Sequence, residues 1–356
     1  MSGVRIPPPL PLSKIVFIKY TIFNDNIVQM ILTKTPLRIT FGGGGTDIYQ
    51  FSDLFGGYCI GLAINKYCYV TLNKNIYDKF TILKYSKTEK VSDKSNIVHP
   101  IFNKVLNSFD YDYGLEISTF MDVPSSSGLG SSSSFTVGLY NALSVENFKL
   151  NTKKKIAKKA IHLERNILGE TGGIQDQYLC SYGGLNEIHI SKNRDIRIKK
   201  IDISKVSLKK LLDHLSLFYT GKSRSSSKVQ SKVFKNSLDL KTINLLKRIK
   251  NIAYLTKNSL INCNIIEFGE ILNENWNLKR YLLKNNNPAS VDLIYDFAMK
   301  NGAIGGRLIG AGGGGFFLFC SSSLGQRKKL INKMQNKGFK NLEFGIDYEG
   351  TKKFIL

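Results

Sequence analysis

Between Asp122 and Ser134 the chain reads DVPSSSGLGSSSS, serine and glycine with a single leucine inside the run. Small polar residues at that density form either a flexible linker or a loop shaped around a ligand, and the flanks decide between them. Upstream, residues 114–121 have strand character; downstream, Phe135, Leu139, Ala142 and Leu143 recur at helical spacing. A linker would not run at once into an apolar helix. Strand, glycine loop and helix is instead the order of a phosphate cradle, in which backbone N–H groups turn inward and the helix N-terminus adds unsatisfied donors and a positive dipole. Serine hydroxyls at the helix start can cap it or reach phosphate and Mg²⁺. The run is expected to hold a polyphosphate.

The first 29 residues do not resemble the rest. MSGVRIPPPLPL can form neither a helix nor a central strand, and IVFIKYTIF is too short and interrupted for a secretory leader. Residues 1–29 are therefore expected to lie outside the fold, as an upstream extension or a misassigned start. From Ile31, ILTKTPLRITF alternates Leu37, Ile39 and Phe41 with Arg38 and Thr40, which predicts a half-buried strand with its charged residue on the open face. Two further β-rich runs, a helix near residues 101–108 and the strand at 114–121 come before the serine run. After it, strands enter and leave glycine turns, helical segments run to about Met299, and an amphipathic helix comes near the end. Strands first and helices later predict an α+β fold rather than repeated βαβ units. The domain boundary is expected near residue 200, giving units 30–200 and 201–356.

A helix predicted over Thr152–Gly169 gathers Ile156, Ala157, Ala160, Ile161, Leu163, Ile167 and Leu168 in one apolar arc, with Lys155, Lys158, Lys159, His162 and Arg165 opposite. Glu164 falls inside the apolar arc. A carboxylate there must be paired, metal-bound or protonated, because burying it unpaired is costly; a structural Glu–Arg pair and a functional role are both open.

The formal net charge of +24 would suit a nucleic-acid binder. The basic residues are dispersed, however, and neither a zinc finger nor an RNP-like aromatic motif accompanies them; no nucleic-acid partner is expected, although the field would gather phosphorylated substrates. Five cysteines without a CxxC pair and four scattered histidines argue against a zinc site or a disulfide framework and fit a reduced cytoplasm. No run of 18 apolar residues suggests a membrane span.

Two glycine motifs imitate better-known ones. TGKS at Thr220–Ser223 lacks the leading glycine of a P-loop, that position being Ser216, and GAGGGG at Gly310–Gly315 leads into a strand rather than a dinucleotide-binding helix. Three segments in order, PLRITFGGGGTD (36–47), PSSSGLGSSSS (124–134) and IGAGGGGF (309–316), together with GGIQDQY (172–178), resemble the motifs of the GHMP small-molecule kinases. The match runs from Met30 to Leu356. Within the family the likeness is to the heptose 7-phosphate kinase branch, through the opening motif, an NKYxYVTL-like strand and LFYTG…R at Leu217–Arg224; Gly43–Asp47 departs from the GEHTD form of galactokinases.

The resemblance implies a two-domain α+β fold, a ribosomal S5 domain 2-like N-terminal domain and a ferredoxin-like C-terminal one, with ATP and acceptor between them. It implies ATP and Mg²⁺ as cofactors, a sugar phosphate as substrate, the anomeric C1 hydroxyl as acceptor, and a monomer or homodimer. Pro124, Ser125, Ser126, Ser127, Gly128, Leu129, Gly130, Ser131, Ser132 and Ser133 would surround the ATP phosphates. Ser132 (or Ser131) and Glu164 would hold Mg²⁺. Asp176 would face the acceptor hydroxyl as base or orienting acceptor, with Arg38 stabilising its charge and the transferring group; without the other motifs, Asp176 would read as a turn former after Gly-Gly. Gly44, Thr46, Asp47, Gly173, Gly312 and Gly313 would line the substrate side, Asp47 through sugar hydroxyls. Arg224, in a basic serine-rich loop, would bind the substrate phosphate.

Overall fold

The computed structural model describes residues 30–111, 113–144, 152–221, 231, 234, 238–283 and 289–356. The expected extension at residues 1–29, and Arg224, lie outside them.

The first half is built on β1 (Ile31–Gly42), α1 (Tyr49–Phe55), β2 (Gly57–Asn75), β3 (Thr81–Lys84), β4 (Thr88–Val91), α2 (Pro100–Leu106), β5 (Gly114–Met121), α3 (Ser131–Leu143), α4 (Lys153–Ile161), α5 (Gln175–Tyr182), β6 (Leu185–Ile190) and β7 (Ile196–Lys200). The second contributes α6 (Lys205–Leu212), β8 (Leu215–Tyr219), α7 (Leu240–Ile261), α8 (Ile265–Leu283), α9 (Ala289–Lys300), β9 (Gly305–Leu308), β10 (Phe316–Cys320), α10 (Leu324–Asn336), β11 (Lys340–Asn341) and β12 (Lys352–Ile355). Among the described residues these strands form two sheets, one ordered β12-β1-β2-β5-β3-β4 with β6 and β7 extending from β2, the other β11-β8-β10-β9. The fold is the expected α+β, but β12 crosses the residue-200 boundary and returns to pair with β1.

β1 is interior, paired on one side with β2 and on the other with β12, and nearly all of it is buried. A register shift lies between Pro36 and Leu37, where Pro36 opposes Tyr67 but Leu37 opposes Ile64. Proline lacks the N–H that a regular ladder needs, so an irregularity here is where it does least harm. The shift has a directional result. Before it, the side chains of Thr33 and Thr35 face Gly138 of α3; after it, Arg38 and Thr40 face α5. Such irregularities re-aim side chains beside active sites. The face that the alternation marked as open is therefore covered: Arg38 is 5% and Thr40 4% exposed. Leu37, Ile39 and Phe41 pack the other way, in a core shared with Leu215, Leu217, Phe268 and Leu272 of the second half, so both halves close on β1.

Candidate active site

Segments distant in sequence converge on one cavity of about 320 Å³: the end of β1, the Ser/Gly loop with the first turn of α3, the stretch from Glu164 to Asp176, and Lys279, Arg307 and Gly310 from the second half. The volume suits a small-molecule site.

Arg38 occupies its centre. Its guanidinium donates Nε to Asp176 Oδ1 at 2.7 Å and Nη2 to Oδ2 at 2.5 Å, a two-point contact, while Nη1 donates to the carbonyl of Gly128 at 2.5 Å. One side chain thus ties the acidic residue to the Ser/Gly loop. Burial opposes the Arg38 charge, but Asp176 outweighs it and holds the guanidinium above its ordinary pKa. Paired donors of this kind fix orientation as well as charge.

Asp176 stands in the first turn of α5, and that turn is capped from elsewhere in the chain. The backbone N–H of Gln175 donates to Asp47 Oδ2 at 3.0 Å, and its side-chain amide to Oδ1 at 3.2 Å; Gly45 N–H donates to Oδ1 at 3.0 Å. Burial raises the Asp47 pKa, with the hydrogen bonds pulling the other way. Gly173 is required by this contact, since a Cβ there would lie 1.8 Å from Asp47 Oδ2. Asp47 lines the cavity as expected, but its contacts make it the support that aims Asp176.

The Ser/Gly loop enters α3 through Gly130, and Gly128, Gly130, Ser131, Ser132 and Ser133 line the cavity together with Ser126. Its back rests on the second glycine motif. A Cβ on Gly128 would meet the Ile309 carbonyl oxygen at 2.4 Å, and one on Gly310 would meet the Gly128 Cα at 2.5 Å. Gly128 also has φ 87°. Gly128→Ala is expected to cost ~1–2 kcal/mol in conformation alone and more through collision with backbone; a lowered melting temperature and a several-fold higher KM for ATP are the measurements that check it.

Glu164 is 1% exposed. Its Oε2 accepts from Gln177 Nε2 at 2.6 Å, Ser133 Oγ at 3.1 Å and Arg165 Nη2 at 3.3 Å, whereas the buried Oε1 has no hydrogen-bond partner. Burial is the main reason its pKa is raised. Glu164 lines the cavity beside the Ser/Gly loop with one oxygen unpartnered, and a carboxylate oxygen suits a hard divalent cation. The pair with Arg165 engages Oε2 alone, so it does not exclude a further ligand on Oε1. No group of three His, Cys, Asp or Glu could hold a metal among the described residues, so such an ion would rely on Glu164, a serine hydroxyl and nucleotide oxygens.

The predicted continuous helix is broken here. After α4, residues His162–Ile167 form a π-helical turn, so residues beyond it leave the 100° spacing. Ile167, placed in the apolar arc, is 48% exposed. Arg165, placed on the solvated face, lines the cavity and donates Nε to the Gly173 carbonyl at 3.1 Å. Turns of this type cluster at functional sites.

Other expected residues sit off the cavity wall. Thr46 is fully buried, its hydroxyl donating to the carbonyls of Gly43 and Tyr58 at 2.8 and 3.0 Å, so it holds the glycine turn rather than facing a substrate. Pro124 and Ser125 are exposed, Leu129 is packed in the core, and the buried Ser127 accepts from Phe316 N–H at 3.1 Å. Gly44 and Gly173 line the cavity; Gly310 and Ala311 do so in place of Gly312 and Gly313, Gly312 being packed on Leu283. Lys279 and Arg307 also line it. Neither carries a local signal, one being a lysine on a long helix and the other an arginine before a glycine run. Only their convergence in space distinguishes them.

A Ser/Gly loop at a helix N-terminus, a paired Arg and Asp, and a buried carboxylate around one cavity form an arrangement suited to phosphoryl transfer. The comparisons agree: residues 96–184 match the GHMP kinases N terminal domain and residues 259–341 the GHMP kinases C terminal domain. The chain belongs to the GHMP kinases and is an ATP-dependent phosphotransferase. It is similar to the D-glycero-alpha-D-manno-heptose 7-phosphate kinase of Campylobacter jejuni, at 29% identity over 92% of this chain and 100% of the relative. It is also similar to the galactokinase of Pyrococcus furiosus, at 26% identity over 81% of this chain and 88% of the relative. Among solved structures, a D-glycero-D-manno-heptose 1-phosphate kinase from Bacteroides thetaiotaomicron superposes with a TM-score of 0.75 over 91% of this chain and 98% of that one, at 23% identity. That last likeness speaks for the fold.

Proposed function

We propose that this kinase transfers the terminal phosphoryl group of ATP to the anomeric C1 hydroxyl of D-glycero-D-manno-heptose 7-phosphate, giving the 1,7-bisphosphate. The observation that carries the reading is the two-point Arg38–Asp176 pair beside the Ser/Gly loop; the full-length likeness to a heptose 7-phosphate kinase supports the substrate. Phosphoryl transfer demands alignment and neutralisation of developing charge more than covalent chemistry. Asp176, with both oxygens already accepting from Arg38, accepts the hydrogen bond of the acceptor hydroxyl and aims its oxygen at the terminal phosphorus. An anomeric hydroxyl is more acidic than an ordinary alcohol, so orientation is the larger part of that task. Arg38 Nη1, lying against Gly128, is placed to follow the transferring group. The α3 N-terminus and the loop N–H groups bind the polyphosphate. Mg²⁺, held by Glu164 with Ser132 or Ser131, would supply neutralisation of the phosphate charge.

The alternative is another sugar 1-kinase, of galactose or fucose type, which the galactokinase likeness keeps in view. Supplying ATP with heptose 7-phosphate, hexose phosphates and free galactose, fucose and mannose tests the choice. Product phosphorus NMR showing a new anomeric phosphate on the heptose 7-phosphate supports the proposal; turnover of galactose or fucose alone overturns it.

A further inference from the structure

Two of the four cations lining the cavity are matched by acids. Arg38 meets Asp176, and Arg165 meets Glu164 and Glu170. Arg307 and Lys279 are not: among the described residues their hydrogen bonds go to backbone carbonyls. Arg307 Nη1 donates to Phe41 O at 3.1 Å, and Lys279 Nζ to Leu308 O at 3.3 Å and to Gly310 O. Arg307 is 3% exposed and its Nε has no hydrogen-bond partner. A buried guanidinium without an acid is costly. Burial, and then Arg38, push Arg307 down to about 10; shelter from water, and then Arg307 and Arg38, push Lys279 well below the ordinary lysine range. A bound anion would reverse both effects.

The position of Arg307 indicates which anion. Its Nη2 would lie 3.9 Å from a Cβ on Gly44, a turn that Gln175 approaches from the α5 side. Its Nη1 is bonded to Phe41 and its Nη2 lies beside the Gly44 turn, on the side of the cavity that Asp47 and Gln175 line. Lys279, on α8, lies between this corner and Gly310. We infer that Arg307 and Lys279 form a subsite for an anionic group that the acceptor itself carries, the phosphate already present on a sugar phosphate. The inference rests on the phosphorylated-acceptor reading above and gives the acceptor's phosphate a place in the cavity, Arg224 lying outside the described residues.

The test is steady-state kinetics and equilibrium binding with heptose 7-phosphate on wild type, Lys279→Met, Arg307→Lys and Arg224→Ala, with melting temperatures recorded for each. Lys279→Met should raise the KM and Kd for heptose 7-phosphate ten-fold or more while KM for ATP moves less than three-fold. Arg307→Lys, which keeps charge but loses the fork, should show a smaller rise with the same selectivity. A fall in kcat with acceptor KM unmoved would mean that the pair acts on the transferring group, and an equal rise in both KM values that it serves ATP; either overturns the subsite. So does a loss confined to Arg224→Ala. Wild type that turns over free sugars as readily as phosphorylated ones overturns the functional reading itself. Should Arg307→Lys fail to fold, Lys279→Met, at a half-buried position of α8, still decides.

Discussion

Asp176→Asn should lower turnover by about 10²–10⁴-fold, the scale of a positioned acid–base group, while ATP still binds. The substitution keeps shape and removes charge, and it changes the pairing more than a lost charge suggests. Arg38 now donates to both carboxylate oxygens; an amide offers one acceptor and turns two donors toward a second guanidinium N–H. Arg38 therefore loses half of the contact that aims it, so alignment and charge fail together. Calorimetric titration with ATP separates this from collapse of the nucleotide site, because Gly128 keeps its place through Ile309 and Gly310 as well as through Arg38. Activity near the wild-type level would remove Asp176 from the mechanism.

Glu164→Gln should raise the Mg²⁺ concentration needed for half-maximal ATP binding by about ten-fold or more, on the scale of a lost charge-assisted ligand. The Mg²⁺ response, read beside stability, discriminates between the roles of this residue. Burial raises the Glu164 pKa, so relative to the unfolded chain its ionised form costs stability; the cost is absent below the ordinary carboxylate pKa and grows as pH rises toward the folded value. A neutral isostere removes that cost. If Glu164 serves metal, the variant loses its response to Mg²⁺, whether or not loss of the pair with Arg165 lowers its metal-free melting temperature. If Glu164 serves the pair with Arg165, the variant melts lower with its metal requirement unmoved, and the metal role is refuted.

Local chemistry was the legible part of this molecule. The Ser/Gly run announced its loop because flanking periodicity and backbone needs are encoded in neighbouring residues. The alternation of Leu37, Ile39 and Phe41 announced β1 in the same way. What escaped depended on partners far along the chain. Alternation reports one covered side and leaves Arg38 and Thr40 on an open face, because nothing local reveals that α5 and the Ser/Gly loop cover the other. Helical spacing sets Arg165 opposite the apolar arc because it assumes an unbroken α-helix, whereas the π-helical turn shifts the residues after His162. Thr46 looked like a substrate contact, yet its hydroxyl completes the turn at Gly43 and Tyr58. Lys279 and Arg307 gave no signal, since an unpaired cation is visible only once the carboxylates around it can be counted in space.

The contact of the two glycine motifs bears on how such kinases can be recombined. Gly128 and Gly310 approach without room for a β-carbon on either, so the loop facing the nucleotide is moulded against a surface supplied by the other half of the chain. Exchanging acceptor preference by transplanting the C-terminal half from a relative would therefore disturb the donor site as well, unless the transplanted glycine run reproduces the path of Ile309–Gly310. The two glycine motifs are inherited as one packed unit in this architecture, even though they are written some 180 residues apart.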